Sequence, residues 1–132
     1  MRKIATACII DDDPIYQYTM KKIIEKYELC NRILEFKNGL EAINYFKNVN
    51  DKNLLPELVF VDINMPVMDG WGFLQHFMQL PYIPENNMTV YVASSSVDIA
   101  DMNKAKSFSF IRDYIVKPLS IEKLKHLFSK AA

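Results

Sequence analysis

Apolar runs in this chain end on residues that can do chemistry. Asp11, Asp12 and Asp13 follow Ile4–Ile10, and Asp62 follows Leu58-Val59-Phe60-Val61. Ser94-Ser95-Ser96 follow Thr89–Ala93, and Lys117-Pro118 follow Asp113–Val116. Unpaired carboxylates packed at ~4 Å repel by about 4 kcal/mol at an effective dielectric near 20, so a cluster of them must protonate or hold a cation. A site built of oxygen donors favours Mg²⁺ or a similar hard ion, which keeps several waters and leaves positions for phosphate oxygens. On such a site a carboxylate can act as nucleophile toward a phosphoryl group while metal and ammonium neutralise the transferring oxygens. Asp62 is then the nucleophile candidate and Lys117 the ammonium.

These groups meet only if the chain brings the ends of the runs together. Ile4–Ile10 stops abruptly at aspartates, as a buried parallel strand stops at a loop. Asp13-Pro14 reads as a helix start, with the carboxylate as N-cap and Pro in the first turn, followed by Ile15, Met20, Ile23, Ile24 and Tyr27 at mostly helical spacings. Ile33–Phe36 reads as a second strand, Asn38-Gly39 as a turn, and Leu40, Ala42, Ile43, Tyr45 and Phe46 as a second helix face. A polar loop spans Asn48 to Pro56, and Leu58–Val61 is uniformly apolar, as a strand covered on both faces should be. Phe73, Leu74, Phe77 and Met78 mark a third helix closed by Pro81 and Pro84; Thr89–Ala93 is a fourth strand, Asp98–Phe108 a weaker helix, and Asp113–Val116 a fifth strand. Ile121, Leu124, Leu127 and Phe128 supply the last helix. Five strands alternating with five helices predict an α/β fold, a doubly wound parallel sheet with right-handed crossovers. In such sheets ligands bind beyond the carboxyl ends of the strands, where these polar residues fall.

A chain of 132 residues with 50% hydrophobic and 24% charged residues fits one domain, residues 1–132, with no room for an output domain. Sixteen basic and sixteen acidic residues cancel, which argues against direct nucleic-acid binding. Cys8 and Cys30 have neither the number nor the spacing of a disulfide framework or zinc site, and reduced thiols in a cytosol fit best. The first ten residues briefly mimic a secretory signal, but three aspartates follow, and no apolar run approaches the ~20 residues of a membrane helix, so no membrane insertion is expected. His76 and His126 lack a second ligand at metal spacing and read as surface residues; Trp71 and the methionines read as packing.

Asp11-Asp12 after the first strand, Asp62-Ile63-Asn64-Met65-Pro66 after the third, Ser94 after the fourth and Lys117-Pro118 after the fifth resemble the signature of response-regulator receiver domains, over essentially the whole chain. The resemblance implies a flavodoxin-like fold with strand order 2-1-3-4-5, an order that comes with the family and not from the periodicity of the residues. It implies an aspartyl phosphate on Asp62, with Mg²⁺ held by Asp12, Asp62 and the backbone carbonyl of Asn64, and by Asp11 through water. Ser94 and Lys117 would hold phosphoryl oxygens, Ser94 and Tyr114 would move together as a switch, and the Lys117-Pro118 bond would be cis. The implied partners are a sensor histidine kinase or phosphotransfer protein, and a downstream protein that reads the face of the fourth helix, fifth strand and fifth helix. The protein would be a stand-alone cytoplasmic switch that catalyses only its own phosphorylation and dephosphorylation, and not otherwise an enzyme.

Other readings share parts of this pattern. Aspartate-nucleophile phosphatases need a second acid two residues on, where this chain has Asn64. A flavodoxin-like cofactor binder should offer hydroxyls and amides in its first loop, where this chain has three carboxylates. A phosphorylation-independent interaction module on a receiver fold is the remaining alternative. Asp13 is better explained as a helix cap than as a ligand, and Tyr114 could equally be a fixed packing residue.

Overall fold

The β-branched opening segment forms strand β1 (Ile4–Ile10). It is followed by α1 (Pro14–Lys26), β2 (Cys30–Phe36), α2 (Gly39–Lys47), a 3-10 turn at Lys52–Leu54, β3 (Leu58–Val61) and α3 (Gly70–Phe77). The chain continues with β4 (Thr89–Ser94), α4 (Ile99–Lys106), β5 (Ile111–Val116) and α5 (Ile121–Ala131). The computed structural model describes residues 3–81 and 88–131; the expected stop at Pro84 lies outside them. The strands form one sheet in the order β2-β1-β3-β4-β5 with every pairing parallel, as expected. Among the described residues no helix is long and apolar enough to cross a membrane.

Strand parity divides the core into two layers. Cys8, Ile10, Val59, Val61, Val90 and Val92 face Ala42, Ile43 and Phe46 of α2, the aromatic side chains of α3, and Ala105 of α4. Ala7, Ile9, Leu58, Phe60, Tyr91, Ala93 and Ile115 face Met20 and Ile24 of α1 and Leu124, Leu127 and Phe128 of α5. The central strand β3 is therefore apolar at every position although its side chains alternate, and β1 and β4 are apolar but for Thr6, Thr89 and Ser94. Phe46 packs on Phe73 and Phe77 with ring centroids 6.1 and 5.1 Å apart, and Trp71 stacks on Phe108 at 5.9 Å, so these aromatics are packing residues.

The helix starts follow local chemistry. Asp13 accepts the N–H groups of Ile15 and Tyr16, Asn38 that of Glu41, Asp69 that of Gly72 and Asp98 that of Ala100. Three features differ most from the sequence reading: the starts of two strands and the inward face of one helix. β2 begins at Cys30, and β5 at Ile111, because both are edge strands whose exposed positions accept Asn31, Arg32, Arg112 and Asp113. The third difference is in α1, where Ile15 is 75% exposed and Tyr16 takes the inward place one residue later. The inward stripe runs Tyr16, Met20, Ile23 and Ile24, a cleaner helical spacing than one begun at Ile15.

Candidate functional site

Sheet register assembles the site. Ile10 of β1 pairs with Val61 of β3, and Val61 with Val92 of β4, so Asp11 and Asp62 each sit one residue past the last pair of adjacent strands. The Asp62 N–H donates to the Ile10 carbonyl at 2.9 Å, which fixes that adjacency. Ser94 pairs with Val116 of β5, and Lys117 is one residue further. Its N–H donates to the Ser94 carbonyl at 2.9 Å, and the Lys117-Pro118 bond is cis, as expected.

The structure brings Asp11, Asp12, Asp62 and Lys117 together. A carboxylate oxygen from each aspartate lies within 4.8 Å of the others. Lys117 Nζ is 2.7 Å from Asp11 Oδ2 and 3.5 Å from Asp62 Oδ2. Asp11 and Asp62 are buried and Asp12 is exposed. Burial pushes the Asp11 carboxyl above the usual carboxylate range, against the pull of the Lys117 hydrogen bond and of the Asp13 N–H that Oδ1 accepts at 2.9 Å. Asp62 Oδ1 accepts the N–H of Ile63 at 2.8 Å, which orients the group while leaving Oδ2 toward Lys117.

Ser94 and Tyr114 belong to the other layer. Positions 90 and 92 face α2–α4, and by parity so does Ser94, fully buried at the end of β4. Its Oγ accepts the Ser96 N–H at 3.2 Å. Tyr114 packs against the same layer, and its hydroxyl donates to the Ser96 carbonyl at 2.8 Å. The two residues are thus joined through the β4–α4 loop. Asn64 lies on the exposed side of the loop after Asp62. That loop is tightly folded: Val67 has φ 69°, rare for a β-branched residue, and the Gly70 N–H donates to the Ile63 carbonyl at 2.9 Å. His76 and His126 are exposed and away from this cluster, and Asp13 acts as the α1 cap.

The acidic cluster suits a hard cation. All the side-chain donors are carboxylate oxygens, and one ammonium cannot neutralise three of them. Two residues that the sequence reading passed over shape the cluster. Gln17 Nε2 donates to the carbonyls of Ile9, Asp11 and Phe36, each at 3.1 Å, and ties the ends of β1 and β2 together beneath the aspartates. A glutamine on an amphipathic helix gives no sequence signal for this. The Tyr16 ring lies against Lys117, with Nζ 4.2 Å from its centroid, and helical spacing could have revealed its inward direction.

Comparison with known proteins gives a consistent picture. A family model described as the response regulator receiver domain matches residues 7–129. The chain is 29% identical over 124 residues to the chemotaxis protein CheY of Listeria monocytogenes, covering 94% of this chain and 96% of that protein. It is 30% identical over 124 residues to a probable C4-dicarboxylate response regulator, DctR, of Priestia megaterium, where it covers 94% of this chain but spans only 50% of that protein. Among solved structures, a two component response regulator from Cytophaga hutchinsonii superposes with a TM-score of 0.86 at 32% identity, covering 98% of both chains. A response regulator receiver protein from Dyadobacter fermentans gives a TM-score of 0.81 at 25% identity, covering 96% of this chain and 97% of that one.

Proposed function

Because this chain belongs to the response regulator receiver domain family of two-component signalling, we propose that Asp62 accepts a phosphoryl group in a Mg²⁺-dependent reaction that the domain itself catalyses. The donor is a sensor histidine kinase or phosphotransfer protein. The observation that carries this reading is the meeting of Asp11, Asp12 and Asp62 at one point with Lys117 beside them. Asp62 Oδ2 attacks phosphorus, an O–P bond forms as the P–N bond of the donor phosphohistidine breaks, and the electron pair leaves with the imidazole. Asp12, Asp62 and the Asn64 carbonyl would hold Mg²⁺ directly and Asp11 through water; bound there, the ion supplies charge neutralisation at the phosphoryl oxygens. Lys117 pairs with one phosphoryl oxygen and the Ser94 hydroxyl donates to another.

The new charge on Asp62 then biases a two-state element. Ser94 turning toward the phosphoryl group pulls on the loop to which Tyr114 is hydrogen-bonded, so the α4–β5–α5 face changes for a downstream protein partner. The role is that of a switch. The direct test is incubation with acetyl phosphate, with and without Mg²⁺, followed by rapid intact-mass measurement. One added phosphoryl group that depends on Mg²⁺ is expected; no adduct under cold, rapid conditions would favour a phosphorylation-independent interaction module.

Mg²⁺ also gives a stability signature. At about ten times its dissociation constant the ion should stabilise the fold by about 1.4 kcal/mol, read as a higher Tm. Burial raises the Asp11 pKa, so the metal-free fold keeps that proton to higher pH than the unfolded chain does. That contribution is complete below the unfolded pKa and is lost as pH rises through the raised folded one. Ion binding has the opposite sign, since it needs the carboxylate. The Mg²⁺ increment should therefore shrink as pH falls through the raised Asp11 pKa, and should disappear in Asp12→Ala. An undiminished increment in Asp12→Ala at neutral pH would place the ion elsewhere.

A further inference from the structure

We propose that Tyr16 is a positioning residue for phosphoryl transfer, its ring serving as the platform on which the Lys117 ammonium is held beside Asp62. This rests on the phosphoacceptor reading of Asp62. Among the described residues, the ammonium is flanked by Asp11 Oδ2 at 2.7 Å, Asp62 Oδ2 at 3.5 Å and the Tyr16 ring centroid at 4.2 Å. With the Lys117 side chain only 13% exposed, little water is present to weaken the attraction between cation and ring face.

The three contacts have different fates during the reaction. The bond to Asp11 is the shortest, and it draws the ammonium away from the acceptor. Lys117 must exchange that carboxylate for a phosphoryl oxygen when Asp62 is modified. The ring is uncharged and belongs to neither exchanging partner, so its contact persists while the ammonium shifts across it. Tyr16 is itself well held. Its N–H donates to the Asp13 cap at 3.4 Å, and its side chain packs against the layer that contains Met20 and Phe128.

The ring carries this role, and the hydroxyl does not. The Tyr16 hydroxyl is buried and has no hydrogen-bond partner among the described residues. Burial, followed by the charges of Asp11 and Asp62, pushes its pKa upward, so the phenol stays neutral. Phenylalanine should therefore replace it, and an aliphatic side chain should not.

Wild type, Tyr16→Phe, Tyr16→Leu, Tyr16→Met, Lys117→Ala and the Tyr16→Leu/Lys117→Ala double variant are mixed rapidly with acetyl phosphate at saturating Mg²⁺. Maximal rate and half-saturating donor concentration are fitted separately, and Mg²⁺ affinity is measured by calorimetry. Tyr16→Leu should lower the maximal rate about tenfold, or about 1.4 kcal/mol, with half-saturation and Mg²⁺ affinity unchanged. Tyr16→Phe should stay within about twofold of wild type, and in the Lys117→Ala background Tyr16→Leu should cause no further loss. Tyr16→Met also lacks a ring, so it preserves the comparison if the leucine variant does not fold. Wild-type rates in the leucine or methionine variant overturn the proposal, as does a phenylalanine variant as slow as leucine, or a full tenfold loss on top of Lys117→Ala. If the wild type takes up no phosphoryl group at all, the phosphoacceptor reading falls and this proposal falls with it.

Discussion

Given acetyl phosphate and Mg²⁺, the Asp62→Asn variant should stay at its unmodified mass while the wild type gains one phosphoryl group, with uptake at least about a thousandfold slower in the variant. Asparagine has nearly the same shape and can still accept the Ile63 N–H through its side-chain oxygen, so the loop keeps its course. What disappears is the anionic nucleophile, and a neutral carboxamide does not replace it. Neither neighbouring aspartate is placed to take over: Asp11 Oδ2 is engaged by Lys117 at 2.7 Å and Asp11 Oδ1 by the Asp13 N–H. Asp12 is exposed to solvent, and among the described residues Lys117 pairs with Asp11 and Asp62 rather than with it. Rapid intact-mass measurement gives the yield, and peptide mapping of the wild type gives the position. Equal adduct on Asp62→Asn would assign the acceptor to another residue.

The convergence of Asp11, Asp62, Ser94 and Lys117 on one edge was legible because a parallel sheet puts the carboxyl ends of all its strands on the same side, whereas the strand order came only with the family resemblance. An apolar run that ends in a carboxylate marks both a strand and its carboxyl end, so Ile10-Asp11 and Val61-Asp62 could be read without coordinates. Edge strands were less legible. Asn31 and Arg32 look like loop, and only their place at the rim of the sheet lets them pair with β1. Side-chain direction within α1 was also hidden, because Ile15 and Tyr16 are both suited to a core and only packing against Lys117 and α5 selects the tyrosine. Gln17 shows the deeper limit. Its three carbonyl acceptors come from Ile9 on β1, Asp11 just past it and Phe36 on β2, and no local pattern encodes such a meeting.

On the proposed reading, parity would also separate the chemical work from its output. Positions 7, 9, 58, 60 and 115 face α1 and α5, and continuing that alternation puts Asp11, Asp62 and Lys117 on the side of Tyr16. Positions 90 and 92 face α2–α4, which puts Ser94 on the side of Tyr114. A phosphoryl group on Asp62 would lie between the two sets. Lys117 would meet it from one side and Ser94 from the other, so the Ser94 side would carry any rearrangement toward α4 and β5. A single covalent event would then be catalysed by one layer and read through the other.

Gly70→Ala should damage the site more than any other single added methyl among the glycines. A Cβ at Gly70 would stand 2.2 Å from the Asp62 carbonyl oxygen, 2.9 Å from Ile63 Cα and 3.0 Å from the Asp62 carbonyl carbon. All three atoms are backbone, so no side chain can rotate away. Carbon–oxygen contacts normally lie at ~3.3–3.6 Å, so α3 and the acceptor segment must separate by about 1 Å. The segment that moves carries Asp62 and leads to the Asn64 carbonyl, and a misplacement of about 1 Å can slow a positioned reaction about a hundredfold. Alanine favours a helix by roughly 0.5–1 kcal/mol over glycine, whereas forcing the backbone apart costs about 1–3 kcal/mol. The net should be a lower Tm together with about a hundredfold slower uptake from acetyl phosphate. Gly72→Ala is the control on the same helix, since its Cβ would meet the flexible Met68 side chain at 3.1 Å and the Asp69 carboxylate at 3.4 Å. That variant should phosphorylate within a few-fold of wild type, because Met68 can yield. Wild-type kinetics in Gly70→Ala would mean that the close approach of α3 does not set the geometry of Asp62.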